Sequence, residues 1–153
     1  MKVVVQRVSR ASVRVDNEIS GQIGKGLLLL VGIDQKDDEK TMKWVSDKII
    51  RLRIFPDNEG KMNRSVQDIN GEILVVSQFT LCGRVEKGTR PSFVDAAKPA
   101  RAEPMYEKMI RYMENKSGLN VESGEFGAMM DVELVNDGPV TIWVEKQMPN
   151  PAD

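Results

Sequence analysis

The stretch Gly26-Leu27-Leu28-Leu29-Leu30-Val31-Gly32-Ile33-Asp34 decides the fold class. Its apolar run from Leu27 to Ile33 is short, continuous and without a polar face, which suits a central strand buried on both sides better than a short helix. A second run, Ile73-Leu74-Val75-Val76, is β-branched and apolar and predicts another buried strand over Glu72 to Phe79. Upstream, Val3, Val5 and Arg7 alternate with Val4, Gln6 and Val8, and Ala11 to Val15 alternates again before Asp16-Asn17. The chain is therefore expected to open as two short strands, with Gly21, Gly24 and Gly26 punctuating a third.

Between the two buried strands, Met42, Val45, Ile49 and Leu52 recur at spacings of three and four. They put one apolar stripe on a helix of about four turns, capped by Asp37 or Asp38. Pro56-Asp57-Asn58-Glu59-Gly60 reads as a loop. Gly83 to Pro99 is a Gly- and Pro-containing stretch before a second helix, whose buried face carries Met105, Met109 and Tyr112 or Met113, with Pro104 in its first turn. Met130 to Leu134 and Val140 to Val144 alternate around Asp137-Gly138, a pattern that predicts a β-hairpin. This order of elements makes the chain an α+β protein, one domain over residues 1–153 with a strongly curved, barrel-like, mainly antiparallel β-sheet and two packed helices.

Composition narrows the chemistry. The 153 residues are 41% hydrophobic and 29% charged with a net charge of −1, which excludes a wholly basic nucleic-acid coat. No apolar run approaches the roughly 20 residues that cross a bilayer, and the N-terminus lacks a signal-peptide plan, so no membrane partner is expected. The single cysteine, Cys82, forms no internal disulfide and suits a reducing cytosol; a cytoplasmic location is expected. The chain has no histidine, which removes the usual general base, the usual activator of Ser or Cys, and the commonest metal ligand. Neither a metal nor another cofactor is expected.

Ser77-Gln78-Phe79-Thr80 places two hydroxyls and an amide at a strand end, where a rigid sheet holds polar groups against a ligand. The plainer alternative is that Ser77 and Thr80 bond to nearby backbone as the strand enters a loop. Thr80 as a nucleophile needs a base, and residues 77–81 hold none. At Gly138-Pro139 local reasoning favours a simple hairpin turn. Residues 82–101 carry a net +3 against −6 for residues 120–145, so a basic strip follows the Ser77 segment. Within it Phe93 can stack on a splayed base while Arg90 meets phosphate, or Phe93 is core and the strip a solvated face. Cys82 reads as a small buried or half-buried residue.

The chain resembles the D-aminoacyl-tRNA deacylase family almost end to end. The likeness runs in order through Gln6-Arg7-Val8, Gly60-Lys61-Met62-Asn63, Ser77 to Leu81, Gly88 to Phe93, Phe126-Gly127-Ala128 and Asn136-Asp137-Gly138-Pro139-Val140-Thr141. It departs at Cys82, where the family often has an aromatic residue, and at Met129, where it often has a polar one. The resemblance implies hydrolysis of the ester of D-aminoacyl-tRNA, with glycyl-tRNA accepted too. It implies catalysis around Ser77, Gln78, Phe79 and Thr80, with the 3′ end of tRNA as partner. It also implies a homodimer in which the Gly138-Pro139 turn, its peptide bond cis and braced by Arg7, reaches the partner's site and rejects L-amino acids. The ester is already activated, so backbone oxyanion donors and the terminal ribose 2′-OH suffice. Two rivals stand beside this reading: a non-catalytic nucleic-acid-binding module on the same scaffold, and a general small-molecule esterase.

Overall fold

A computed structural model describes residues 1–147; the last six residues of the expected domain lie outside the described ones. The chain runs β1 (Lys2–Val15), β2 (Glu18–Ile23), β3 (Gly26–Gly32), α1 (Glu39–Arg51), β4 (Phe55–Pro56), β5 (Met62–Arg64), β6 (Glu72–Ser77), α2 (Pro99–Ser117), β7 (Val121–Ser123) and β8 (Asp131–Glu145). A 3₁₀ turn over Phe79–Cys82 follows β6. No described helix is long and apolar enough to cross a membrane.

The main sheet has the order β2-β1-β3-β6-β7, with β8 along the other edge of β1. β1 pairs antiparallel with β2, β3 and β8, whereas β3-β6 and β6-β7 are parallel, so the sheet is mixed. It curls until its ends approach: Ser20 Oγ on β2 donates to Ser123 O on β7 at 3.3 Å. The result is the nearly closed, barrel-like sheet with two helices that the patterning predicts.

The Leu27–Val31 run is central and covered on both faces. Leu27, Leu29 and Val31 join the main core under the two helices, while Leu28 joins Val8, Val13, Ile23, Leu74 and Val76 in a second core inside the curl. Each fully buried side chain of this size contributes about 1.5–3 kcal/mol through removal from water. Asp38 caps α1 by accepting from Thr41 N at 2.8 Å, and Met42, Val45 and Ile49 form its buried stripe.

Several expectations are corrected. The opening is one 14-residue strand, bent where its ladder with β8 shifts register around Val8, so one strand serves β3 with its first half and β2 with its second. Pro104 lies inside α2 and Pro99 occupies its first turn; the helix starts five residues earlier than expected, on a turn in which Ala102 alone is buried and Pro99, Ala100, Arg101 and Glu103 are exposed. β6 stops at Ser77, short of Phe79. The Pro56–Gly60 loop is the tip of a small β4-β5 hairpin, and β7 adds a short strand with no strong pattern.

The largest correction concerns Asp137-Gly138. It is no hairpin: residues 131–145 form one strand whose two halves pair with β1 in the same sense, Gln6 opposite Thr141 and Val8 opposite Asn136. Residues 137–140 bulge out opposite Arg7 alone. Alternation on both sides of a Gly-Pro pair looks the same in sequence whether the halves pair with each other or with a third strand.

Candidate active site

β6 ends in a pocket. Ser77 is the last residue of the strand and lies beside Val31 of β3; Gln78 N donates to Val31 O at 2.7 Å, after which the chain leaves the sheet. The 3₁₀ turn is closed by Leu81 N to Gln78 O (3.2 Å) and Gly83 N to Thr80 O (3.0 Å). As at any helix start, the first N–H groups have no carbonyl within the turn to donate to, and Gln78 provides no side-chain cap. Its amide instead donates to Thr80 Oγ1 at 2.5 Å.

Gly32 lets this turn press onto β3. A methyl at residue 32 would stand 2.9 Å from Leu81 Cβ and 3.1 Å from Gln78 O, both fixed by the backbone.

The pocket encloses about 570 Å³, a volume suited to one ligand of drug size. Ser77, Gln78 and Phe79 form one side, Ala97, Pro99 and Ala102 at the start of α2 another, and Phe126 to Met130 the third. No residue lining it carries an ionisable side chain. Two titratable groups on the elements beside it are buried, Cys82 and Tyr106. Cys82 is buried and burial pushes its thiol up, with the Asp34 charge adding to the effect. Tyr106 donates to Val75 O at 2.7 Å and burial raises its hydroxyl to about 12. Among the described residues, no group of three carboxylates or thiols is placed to hold a metal ion.

Phe79 and Phe93 project from the pocket rim, 57% and 38% exposed, in an edge-to-face pair with centroids 5.2 Å apart. Arg90 stands on the exposed loop between them in sequence and does not line the pocket.

The Gly138-Pro139 turn lies elsewhere. Its peptide bond is cis and Gly138 has φ +121°. Buried Arg7 holds it, with Nε donating to Asp137 O at 3.1 Å and pairing with the Asp137 carboxylate at 3.3 Å, and Nη1 donating to Ile54 O at 2.7 Å. With its amide nitrogen turned inward, Asn136 donates to Arg7 O at 2.9 Å and Val140 O at 3.3 Å. Strand register separates this cluster from Ser77. Arg7 faces Leu27, Leu27 faces Ile73, and Ser77 is four residues further along β6, about 13 Å at strand spacing and two strands across. One chain thus brings together Ser77 to Thr80 and Phe93, and separately Arg7, Gly138 and Pro139, but does not join the two sets.

Sequence reasoning missed the other two walls. Ala97 and Ala102 signal only helix packing, Phe126 to Ala128 carried a family likeness, Met129 a departure from it, and Met130 a place in an alternating run.

Residues 4–145 match the profile of D-Tyr-tRNA(Tyr) deacylase. The chain belongs to that family. A D-aminoacyl-tRNA deacylase of Brevibacillus brevis is 59% identical over 95% of this chain and 99% of its own length. One from Flavobacterium psychrophilum is 53% identical, covering 96% and 98%. Among solved structures, one described as a c-Myc DNA unwinding element binding protein superposes with TM-score 0.91 at 43% identity, over 97% of this chain and all of that one. A probable eukaryotic D-amino acid tRNA deacylase shares the fold, with TM-score 0.80 at 17% identity over 94% and 97%. This deacylase is accordingly a carboxylic ester hydrolase acting on aminoacyl-tRNA, and the mainly β fold with two helices is the family's.

Proposed function

We propose that the pocket hydrolyses D-aminoacyl-tRNA without a side-chain base or nucleophile. The observation that carries this reading is the absence of any ionisable side chain among the residues lining the pocket. The N–H groups of Phe79 and Thr80 hold the ester carbonyl and stabilise the oxyanion as water attacks. The ribose 2′-OH beside the ester orients or activates that water, and Gln78 assists in placing it. In this reading Thr80, whose hydroxyl accepts from Gln78 and has no ionisable side chain of the pocket to deprotonate it, is not the nucleophile. Replacing the terminal 2′-OH by hydrogen then lowers the rate far more than Thr80→Ala does; the reverse ranking restores Thr80 as nucleophile.

Selectivity comes from the Gly138-Pro139 turn of a second copy. The separation of this turn from Ser77 within one chain supports an arrangement in trans, as does the firm clamp that Arg7 provides. In a homodimer the carbonyls of Gly138 and Pro139 fill the space an L-side chain needs, so rejection is independent of what that side chain is, while a D-side chain points to solvent. Glycine meets no clash, so glycyl-tRNA is also hydrolysed; equal discrimination against glycyl and L-aminoacyl substrates contradicts this. Arg90 and Phe93 support binding of the tRNA 3′ end, and the setting is cytoplasmic.

A second reading is favoured by the structure named as a DNA unwinding element binding protein: the same scaffold used as a nucleic-acid-binding module. Turnover at catalytic enzyme concentration separates the two.

A further inference from the structure

We propose that the loop from Gly83 to Asp95 forms a subsite for the nucleotide preceding the terminal adenosine, its base stacked on the Phe79–Phe93 pair and its phosphate beside Arg90 and Lys87. The inference rests on the deacylase reading and extends it beyond the aminoacylated nucleoside.

Four aromatic rings are exposed among the described residues, and of these Phe79 and Phe93 touch each other, at the rim of the pocket. An edge-to-face pair fixes both rings while leaving one face open, which is the geometry that receives a base without reading its identity. The pocket is of a size for a single aminoacyl-nucleoside, so the next base must lie outside it, at the rim.

The loop beneath the rings is built to stay in place. Arg84 and Ser92 exchange both backbone hydrogen bonds, at 2.8 and 3.0 Å, and the Arg84 guanidinium grips Asp95 with two contacts of 2.5 and 2.7 Å. Asp95 O in turn accepts from Gln35 N at 2.9 Å, tying the loop to the end of β3. Because Arg84 is spent on this clasp with Asp95, the exposed tip is left with Lys87 and Arg90 against Glu86, a net +1, and the two cations are the groups that can meet RNA phosphate.

Charge gives the direction of the strand. Another wall of the pocket comes from Phe126 to Met130, within a segment that holds Glu122, Glu125 and Asp131 and no base, while Glu133 beyond it is paired with Arg10 at 2.9 Å. A phosphodiester is repelled on that side and attracted over the loop, so the RNA leaves the pocket across Phe79 and Phe93.

The test compares three D-tyrosyl esters: of adenosine, of the trinucleotide cytidine-cytidine-adenosine, and of that trinucleotide with an abasic penultimate residue. For the unaltered protein, kcat/KM for the trinucleotide is expected to exceed that for adenosine by between about 5- and 150-fold, the range of one base stacked on an aromatic ring. The abasic ester is expected to lose most of that gain. Phe93→Ala reduces the trinucleotide-to-adenosine ratio toward one, Phe93→Tyr restores it, and Arg90→Glu lowers it in a manner that added salt diminishes. A ratio that Phe93→Ala leaves intact, or an abasic ester as good as the complete one, overturns the subsite. Should the unaltered protein cleave none of the esters, the deacylase reading fails instead. Binding of the uncharged trinucleotide then decides the subsite, since equal affinity for the unaltered protein and Phe93→Ala also overturns it.

Discussion

Gly32→Ala probes how finely the turn after β6 must be placed. The added methyl stands 2.9 Å from Leu81 Cβ, where an ordinary carbon–carbon contact is about 3.5–4.0 Å, so one side must yield by about 0.6 Å or more. β3 cannot yield readily because it is paired with β1 on one edge and β6 on the other. The turn moves instead, carrying the N–H groups of Phe79 and Thr80. Overpacking of this kind costs about 1–3 kcal/mol, roughly 2–12 °C in melting temperature for a chain of this length, and leaves the fold intact. A displacement near 1 Å at a reacting centre costs about 10²-fold, so kcat on a D-aminoacyl-tRNA is expected to fall between about 10- and 100-fold. Single-turnover deacylation beside a thermal melt separates the two effects. Full activity in a variant whose melting point has dropped as expected refutes the claim that this turn supplies the oxyanion donors.

Arg7→Ala removes the donors to Ile54 O and Asp137 and is expected to destabilise the protein by about 1–3 kcal/mol; the ratio of D- to L-substrate rates, measured with matched tyrosyl-tRNAs, falls more than the D-rate itself. Cys82, buried and with its thiol pushed up, reacts with iodoacetamide at pH 8 far more slowly in the native protein than in denaturant, as mass spectrometry will show. Glu39 is lowered to about 2 by hydrogen bonds and charge from Lys43 and Lys108, and Lys108 links α1 to α2. A depressed carboxylate stabilises above its unfolded value near 4.5 and loses that contribution as pH falls toward 2. The melting temperature of Glu39→Gln therefore lies slightly below that of the unaltered protein at pH 7, and the gap closes below pH 4.5.

Much of the scaffold was legible because burial leaves a periodic trace. Leu27 to Val31 announced a strand covered on both faces, and Met42, Val45 and Ile49 announced the helix lying on it. Asp137-Gly138 misled because local turn chemistry does not say which strand the flanking residues pair with; β1 claims both halves of β8. One side of the candidate site was visible and the others were not. Ser77, Gln78 and Phe79 were found as polar groups and an aromatic at a strand end, but the walls made by Ala97, Ala102 and Met129 have no chemistry to reveal them. The close approach of Gly32 to the turn was likewise invisible, since a glycine in a strand carries no record of what lies against it.

The most direct measurement is release of amino acid from matched D- and L-tyrosyl-tRNA at catalytic enzyme concentration, with a Gly138→Ala, Pro139→Ala variant alongside. A Cβ at residue 138 would fall 2.7 Å from Arg7 Nη2, so the variant disturbs the turn at its clamp. Fast turnover confined to the D-substrate, with that confinement lost in the variant, is the predicted result. Equal turnover of both substrates by the unaltered protein, or none of either, contradicts it.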